Sequence, residues 1–235
     1  MDEKEGSDRL IPGLILGILT IIFWVTNLDI AIESLFYSPE RGWFLRNINP
    51  WNLLYHYGNI PGLMLASAGV IVFVAGFFYR RAVKYRKAAL FLCLVMVLGP
   101  GLVVNTAFKH YWGRPRPRQI QDLGGMQQYL PVWQKGIVGS GKSFPSGHAS
   151  VGFYLLTPFF FLRKNRKKWA FSFLLLGITY GLFMGAARMV QGGHFPSDVV
   201  WAGGFTYLTG LVLAYFFRFD NGTSIQGANG LKAED

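Results

Sequence analysis

Ala88-Ala-Leu-Phe-Leu-Cys93-Leu-Val-Met-Val-Leu-Gly99-Pro-Gly-Leu-Val-Val-Asn105-Thr-Ala-Phe108 carries no charge, and Lys109-His-Tyr-Trp-Gly-Arg114-Pro-Arg116-Pro117 follows it at once. A run of that length matches the roughly 17–25 apolar residues that a helix needs to cross the hydrocarbon layer of a bilayer. It stops on cations, where a span meets lipid headgroups. Further charge-free blocks occupy 11–28, 60–79, 143–162, 169–187 and 199–217. One such block could be the buried helix of a soluble protein. Six of them in 235 residues, at 51% hydrophobic and 15% charged composition, leave too little polar sequence to cover them. The sequence therefore predicts an all-α polytopic membrane protein, with six transmembrane helices in one domain over 1–217. A polar tail over 218–235 is expected to be loosely attached. The leader before the first block is rich in acidic residues and no small-residue cleavage pattern follows, so that block is expected to remain as a helix. Cys93, inside a span, is expected to be a packing residue.

A net charge of +11 raises nucleic acid as a partner, and the location of the cations removes it. Arg80, Arg81, Lys84, Arg86 and Lys87 crowd one short connection; Arg163, Lys164, Arg166, Lys167 and Lys168 crowd another. With six spans, 14 of the 23 Lys and Arg fall on the side shared by these two connections and both termini, and nine fall on the other. The positive-inside rule then predicts both termini and both dense connections in the cytoplasm. These cations read as topology signals and headgroup contacts. The Asn221-Gly-Thr sequon falls on the cytoplasmic side and is discounted.

Three polar segments share the opposite side. Lys109 and Arg116 leave the third span, Ser146-Gly147-His148 opens the fourth, and Arg188 to Asp198 joins the fifth to the sixth. Together they hold what breaking a phosphate ester requires: cations for the phosphoryl oxygens, a nucleophile, and an acid for the departing oxygen. Arg116 and Arg188 offer planar forks to two oxygens each, and Lys109 a compact charge. Pro145 suggests a helix start capped by Ser143 or Phe144, with the amides of Ser146 and Gly147 aimed at an anion. His148 is a candidate acid. Asp198, in the first turn after Pro196, is expected to accept a proton from one ring nitrogen of His194 and leave the other as nucleophile. A metal site of His148, His194 and Asp198 is the competing reading; three cations nearby would repel a divalent ion, so no metal and no cofactor are expected.

Lys-x6-Arg-Pro, Pro-Ser-Gly-His and Arg-x5-His-x3-Asp, in this order over residues 109–198, resemble the type 2 phosphatidic acid phosphatase superfamily. The resemblance implies six spans and a metal-independent phosphoric monoester hydrolase. It makes His194 the nucleophile that becomes phosphohistidine, Asp198 its orienting partner and His148 the general acid, with Lys109, Arg116, Ser146, Gly147 and Arg188 as the phosphate cradle. Ala187 stands where many members have serine, which removes one possible hydrogen bond to phosphate. Gly99 to Asn105, Trp112 to Pro117 and Arg188 to His194 are similar to the bacterial lipid A phosphatases, most nearly those acting at the 4' position. The implied substrate is a lipid A-type phosphate monoester on the outer, periplasmic face of a bacterial cytoplasmic (inner) membrane. Undecaprenyl diphosphate phosphatase, phosphatidylglycerophosphate phosphatase and lipid phosphotransferase are the alternatives.

A vanadate haloperoxidase would carry the same motifs, but six spans argue against it, and a transporter would place its ionisable groups mid-membrane and not at span ends. Two segments bear on the substrate. Phe36, Tyr37, Trp43, Phe44, Trp51, Tyr55 and Tyr57, within 33–59, suit either a ledge beside the site or an ordinary interfacial belt. The loop 118–144, with five glycines, suits either a mobile headgroup lid or a disordered connector.

Overall fold

The computed structural model describes the backbone of residues 3–219 and the side chains from residue 10 onward. It is built from helices: α1 (Glu3–Val25), α2 (Leu28–Ser34), α3 (Trp51–Tyr57), α4 (Ile60–Phe78), α5 (Arg80–Val83) and α6 (Arg86–Met96), then α7 (Lys109–Tyr111), α8 (Gly147–Phe153), α9 (Pro158–Leu162), α10 (Lys167–Met189) and α11 (Pro196–Phe216). Among the described residues no β-strand forms, and only Ser38 with Gly42 and Ile120 with Gln127 make isolated bridges.

Among the described residues four segments are long and apolar enough to cross a membrane: Trp51–Phe78, Arg86–Tyr111, Lys167–Met189 and Pro196–Phe216. Leu10–Val25 and Leu28–Ser34 make a fifth if the pair, bent by 72°, counts as one span. Large apolar side chains point outward along them, with Phe78 79%, Ile71 67% and Phe171 64% exposed, a surface suited to lipid and not to water. The 143–162 block differs from the expectation of one continuous span. Its helix starts only at Gly147, and Gly147–Leu162 is a shorter rod interrupted by a 3₁₀ turn at Tyr154–Leu156. Pro158, without an N–H, follows the break. Phe153, Tyr154, Leu156 and Phe160 are all buried, so this rod is the centre of the bundle and not its lipid-facing wall.

Glycine lets the rod sit close to its neighbours. Gly177, Gly181 and Gly185 repeat every four residues along α10, and Cβ atoms there would strike Leu156, Phe153 and Val199 respectively. Such small-residue stripes let helices pack without a hydrophobic drive, which lipid cannot supply. This contact draws the start of α8 towards the end of α10.

Between Met96 and Lys109 the third span widens into a π-helix, Val97–Phe108. Pro100 has no N–H to give to the turn before it, and Asn105 Nδ2 reaches back to the Pro100 carbonyl at 2.7 Å. The wider turn carries Asn105 and Lys109 to the same end as the start of α8. At that end the 118–144 segment folds as a cap: Ile120 and Leu123 bury themselves with Phe195, against Ile30, Tyr37, Trp43 and Tyr129. It is therefore not a disordered connector. Two of its glycines answer to close approach: Cβ atoms at Gly136 and Gly141 would collide with the carbonyl oxygens of Gly113 and Arg114. Cys93 is half-buried beside Gly69, in packing contact as expected. Arg218 and Phe219 belong to the fold and not to a loose tail, with the Phe219 ring 5.1 Å from Phe91. The rest of the tail, including Asn221, lies outside the described residues.

Candidate active site

The three polar segments meet at the end of the bundle opposite the basic connections. Lys109 arrives on α7, Ser146 to His148 at the start of α8, Arg188 near the end of α10, and Asp198 in the first turn of α11. Ser146, and not Ser143 or Phe144, caps α8: its hydroxyl accepts from the Ala149 amide at 3.4 Å, and Pro145 lies before the helix. Ser146 N donates to the Asp198 carbonyl at 3.3 Å, tying this turn to α11.

Gly147 lines the corner beside Asn105 and Lys109. A Cβ there would meet Asn105 Oδ1 and stand 3.1 Å from Lys109 Nζ, so glycine is required for the lysine to lie against the backbone. Lys109 Nζ is 3.4 Å from Asn105 Oδ1. Arg188 donates to Gln191 Oε1 at 2.7 Å, and its guanidinium lies 4.6 Å over the Tyr55 ring. The other face of the story at Tyr55 is His148, whose ring stacks on it at 5.6 Å with 15° between the planes. One aromatic therefore contacts both the candidate acid and Arg188, a candidate for the phosphate cradle. Tyr180 donates to the Gly58 carbonyl at 2.9 Å and holds α3, with Tyr55, against α10. The Nε atoms of Arg116 and Arg188 are buried without hydrogen-bond partners. Buried donors of that kind are costly unless an anion or water completes them. Burial first, then Arg118, lowers the proton affinity of the Arg116 guanidinium.

His194 departs from the expected arrangement. Its Nδ1 lies 2.5 Å from the Ser143 carbonyl, whereas Asp198 Oδ2 is 3.8 Å away. A carbonyl can only accept, so Nδ1 carries the hydrogen and Nε2 keeps the lone pair. The tautomer is thus set by a backbone oxygen. Asp198 acts at one remove: Oδ2 accepts from the Ser143 hydroxyl at 2.5 Å and the Phe195 amide at 2.8 Å, and Oδ1 from Arg114 at 2.5 Å. Burial, reinforced by Lys109 and Arg188 against the opposing pull of Asp198, pushes the His194 imidazole down to about 3, so it is neutral when the site is empty.

Arg114 was not among the residues expected here, nor were Asp29, Ser143, Tyr55 or Asn105 as site members. Arg114 is fully buried and pairs with Asp29 at 2.7 Å as well as with Asp198. Burial alone would lower its proton affinity, but Asp198 and Asp29 outweigh this and hold it above its ordinary value. Its place in Arg-Pro-Arg-Pro, beside Arg116, was the available signal. Among the described residues no three of His, Cys, Asp and Glu converge as a metal-holding group.

The PAP2 superfamily matches residues 88–221. The lipid A 4'-phosphatase of Francisella tularensis subsp. novicida (strain U112) is 35% identical over 219 residues, covering 89% of this chain and 96% of the relative. A lipid A 4'-phosphatase of Rhizobium leguminosarum is 34% identical over 45% of this chain and 44% of its own. A lipid A 1-phosphatase of Rhizobium etli (strain ATCC 51251 / DSM 11541 / JCM 21823 / NBRC 15573 / CFN 42) is 30% identical over 69% of each. The crystal structure of a transmembrane PAP2-type phosphatidylglycerolphosphate phosphatase from Bacillus subtilis shares the fold, with a TM-score of 0.55 at 24% identity, over 92% of this chain and 97% of that one. With more than half of its length matched, and a relative spanned almost end to end, the protein is a membrane phosphatase belonging to the PAP2 superfamily.

Proposed function

We propose that this protein removes a phosphate monoester from a lipid A-type lipid, without a metal, on the periplasmic face of the bacterial inner membrane. The observation that carries the chemistry is the pairing of His194 Nδ1 with the Ser143 carbonyl, which reserves the Nε2 lone pair for phosphorus. The substrate class rests on the resemblance to lipid A 4'-phosphatases along nearly the whole chain.

The phosphoryl group enters the cradle of Lys109, Arg116, Arg188 and the amides at Ser146 and Gly147, where the unpaired Nε donors meet its oxygens. Nε2 of His194 attacks phosphorus in line, and a P–N bond forms as the ester P–O bond breaks. His148 gives its proton to the departing lipid oxygen. The cation that develops on His194 is stabilised by Asp198. His148 then takes a proton from water, which attacks phosphorus; the P–N bond breaks and inorganic phosphate leaves. The negative charge of the bound phosphate favours a proton on His148, the group placed to give it to the departing oxygen. With the α1–α2 pair counted as one crossing and the Gly147–Leu162 rod as another, the proposed topology has six crossings and both termini on one side, and the positive-inside bias supports the cytoplasm as that side.

Purified protein in detergent, given lipid A bisphosphate, should release one inorganic phosphate, and mass spectrometry should place the loss at the 4' position. EDTA should leave the rate unchanged, and His194→Ala should abolish it. Preferential turnover of phosphatidylglycerophosphate or undecaprenyl diphosphate, or transfer of the phosphoryl group to another lipid, would replace the substrate assignment. Loss in EDTA with recovery on adding a divalent ion would overturn the metal-free chemistry.

A further inference from the structure

Behind Asp198 lies a polar network that the mechanism above does not use. Arg114 occupies its centre, and every N–H of its guanidinium has a partner. Nε donates to the Leu130 carbonyl at 2.8 Å; one terminal nitrogen reaches Asp198 Oδ1 at 2.5 Å and Ser197 Oγ at 2.9 Å; the other reaches Asp29 Oδ2 at 2.7 Å and the Tyr129 hydroxyl at 3.4 Å. Arg114, Asp29, Ser197 and Asp198 are completely buried. With five donors spent, Arg114 has none for a substrate phosphate. Asp29 is equally committed: Ser197 gives it an amide bond at 2.9 Å and a hydroxyl bond at 2.6 Å, and Tyr129 a third at 3.0 Å.

Asp29 reaches this position through local geometry. Asn27 takes a left-handed conformation at φ 33°, which turns the chain 72° between α1 and α2 and aims the face carrying Asp29 and Glu33 at α11. Residue 29 lies outside the stretch matched to the superfamily, which begins at 88. α2 thus supplies a carboxylate from the far end of the sequence.

We infer that Arg114 and Asp29 are positioning residues for the reaction at His194: Arg114 clamps Asp198 so that its second oxygen holds the Ser143 hydroxyl, and Asp29 fixes Arg114 and trims its charge. The inference rests on His194 being the nucleophile. Two carboxylates around one guanidinium leave a net charge of −1 in the buried cluster, and that charge faces the imidazole as it becomes cationic. Removing Arg114 leaves two buried carboxylates unneutralised, a much worse state than removing the pair. The titratable and charged groups facing His194 are Asp198 on α11, Lys109 on α7 and Arg188 on α10, with Arg114 behind Asp198 and, on α2, Asp29 and Glu33.

Arg114→Gln, Asp29→Asn and the double variant, purified in detergent beside His194→Ala, test this. Arg114→Gln should lower kcat by about 10²-fold or more, the scale of losing an imidazole-orienting carboxylate, with KM within about threefold. Adding Asp29→Asn restores the cluster to −1 and should recover at least about tenfold of that loss. The acid limb of the kcat/KM profile should move up in pH for Arg114→Gln, which loses a cation near His194, and down for Asp29→Asn, which loses an anion. A role confined to folding would not split the two directions. Arg114→Gln within about fivefold of the parent kcat, a double variant no better than Arg114→Gln, or limbs that shift the same way would each overturn the inference. If Arg114→Gln does not fold, an unmoved acid limb in Asp29→Asn overturns it. Activity surviving in His194→Ala would instead remove the nucleophile assignment, whereas an inert His194→Ala beside a fully active Arg114→Gln removes only the positioning role.

Discussion

His194 and Asp198 are spaced as an orienting pair, yet the atom nearest Nδ1 is the oxygen of Ser143, and the carboxylate works through that serine and through charge. This separates two substitutions. Ser143→Ala keeps the carbonyl on Nδ1 and loses only the hydroxyl bond to Asp198, so kcat should fall by about tenfold, the worth of one such bond. Asp198→Asn disturbs Arg114, Ser143, the Phe195 amide and the charge together, and should cost about 10²–10⁴-fold. Equal losses in steady-state assays of the two variants would contradict this division of labour. Burial also couples His194 to stability. Its folded value of about 3 lies below the ordinary 6.5, so between these values the unfolded chain binds more protons. The contribution of neutral His194 is complete above about pH 6.5 and is lost as pH falls towards 3. The melting temperature in detergent should therefore drop on going from neutral to about pH 4, and less steeply in His194→Gln. That Lys109, Arg116, His148, Arg188, His194 and Asp198 gather at one end of the bundle was legible, because they stand in short polar segments that border or join the apolar blocks on one side. The Ser143 carbonyl was not, since every residue has one, and Arg114 was hidden because its partners Asp29 and Asp198 stand 85 and 84 positions away in the sequence.

At the scale of elements, apolar length located the spans but could not tell a lipid-facing helix from one enclosed by its neighbours. The 143–162 block is free of charge like the others, and its burial depends on the glycine stripe of α10, which lies elsewhere in the sequence. In the loop 118–144 the disordered-connector reading fails for a related reason: its glycines suggested freedom, but Gly136 and Gly141 sit where backbones touch. The break at Asn27 gave no signal in a count of apolar residues, and with it Asp29 stayed out of the site. The stripe itself is testable. A Cβ at Gly177 would strike the backbone of Leu156, which cannot rotate away as a side chain could. Gly177→Leu should lower stability by about 1–3 kcal/mol, read from unfolding in detergent, and displace the Gly147–Leu162 rod with His148 on it. Normal stability and activity in that variant would mean that the two helices are not locked at this point.

For the whole molecule, the two dense clusters of cations and the site occupy opposite ends of the same helices. α10 runs from Lys167 to Met189 with Arg188 in its last turn, and at about 1.5 Å per residue its 23 residues separate the ends by roughly 34 Å. That is the thickness of a hydrocarbon core, so the two ends belong to opposite leaflets. The proposed orientation sets the basic end in the cytoplasm, where anionic lipid and the positive-inside bias both favour it, and leaves the site to receive lipid that has already been exported. Two cysteines on a Cys93→Ala background decide this. Met126 is 91% exposed on the cap over the site, and Lys84 is exposed at the basic end. In intact spheroplasts a membrane-impermeant maleimide should label the Met126→Cys protein at once, while Lys84→Cys should stay unlabelled until the membrane is permeabilised. The reverse pattern would turn the protein over, bring the site to the inner leaflet, and leave a lipid modified only after export out of its reach.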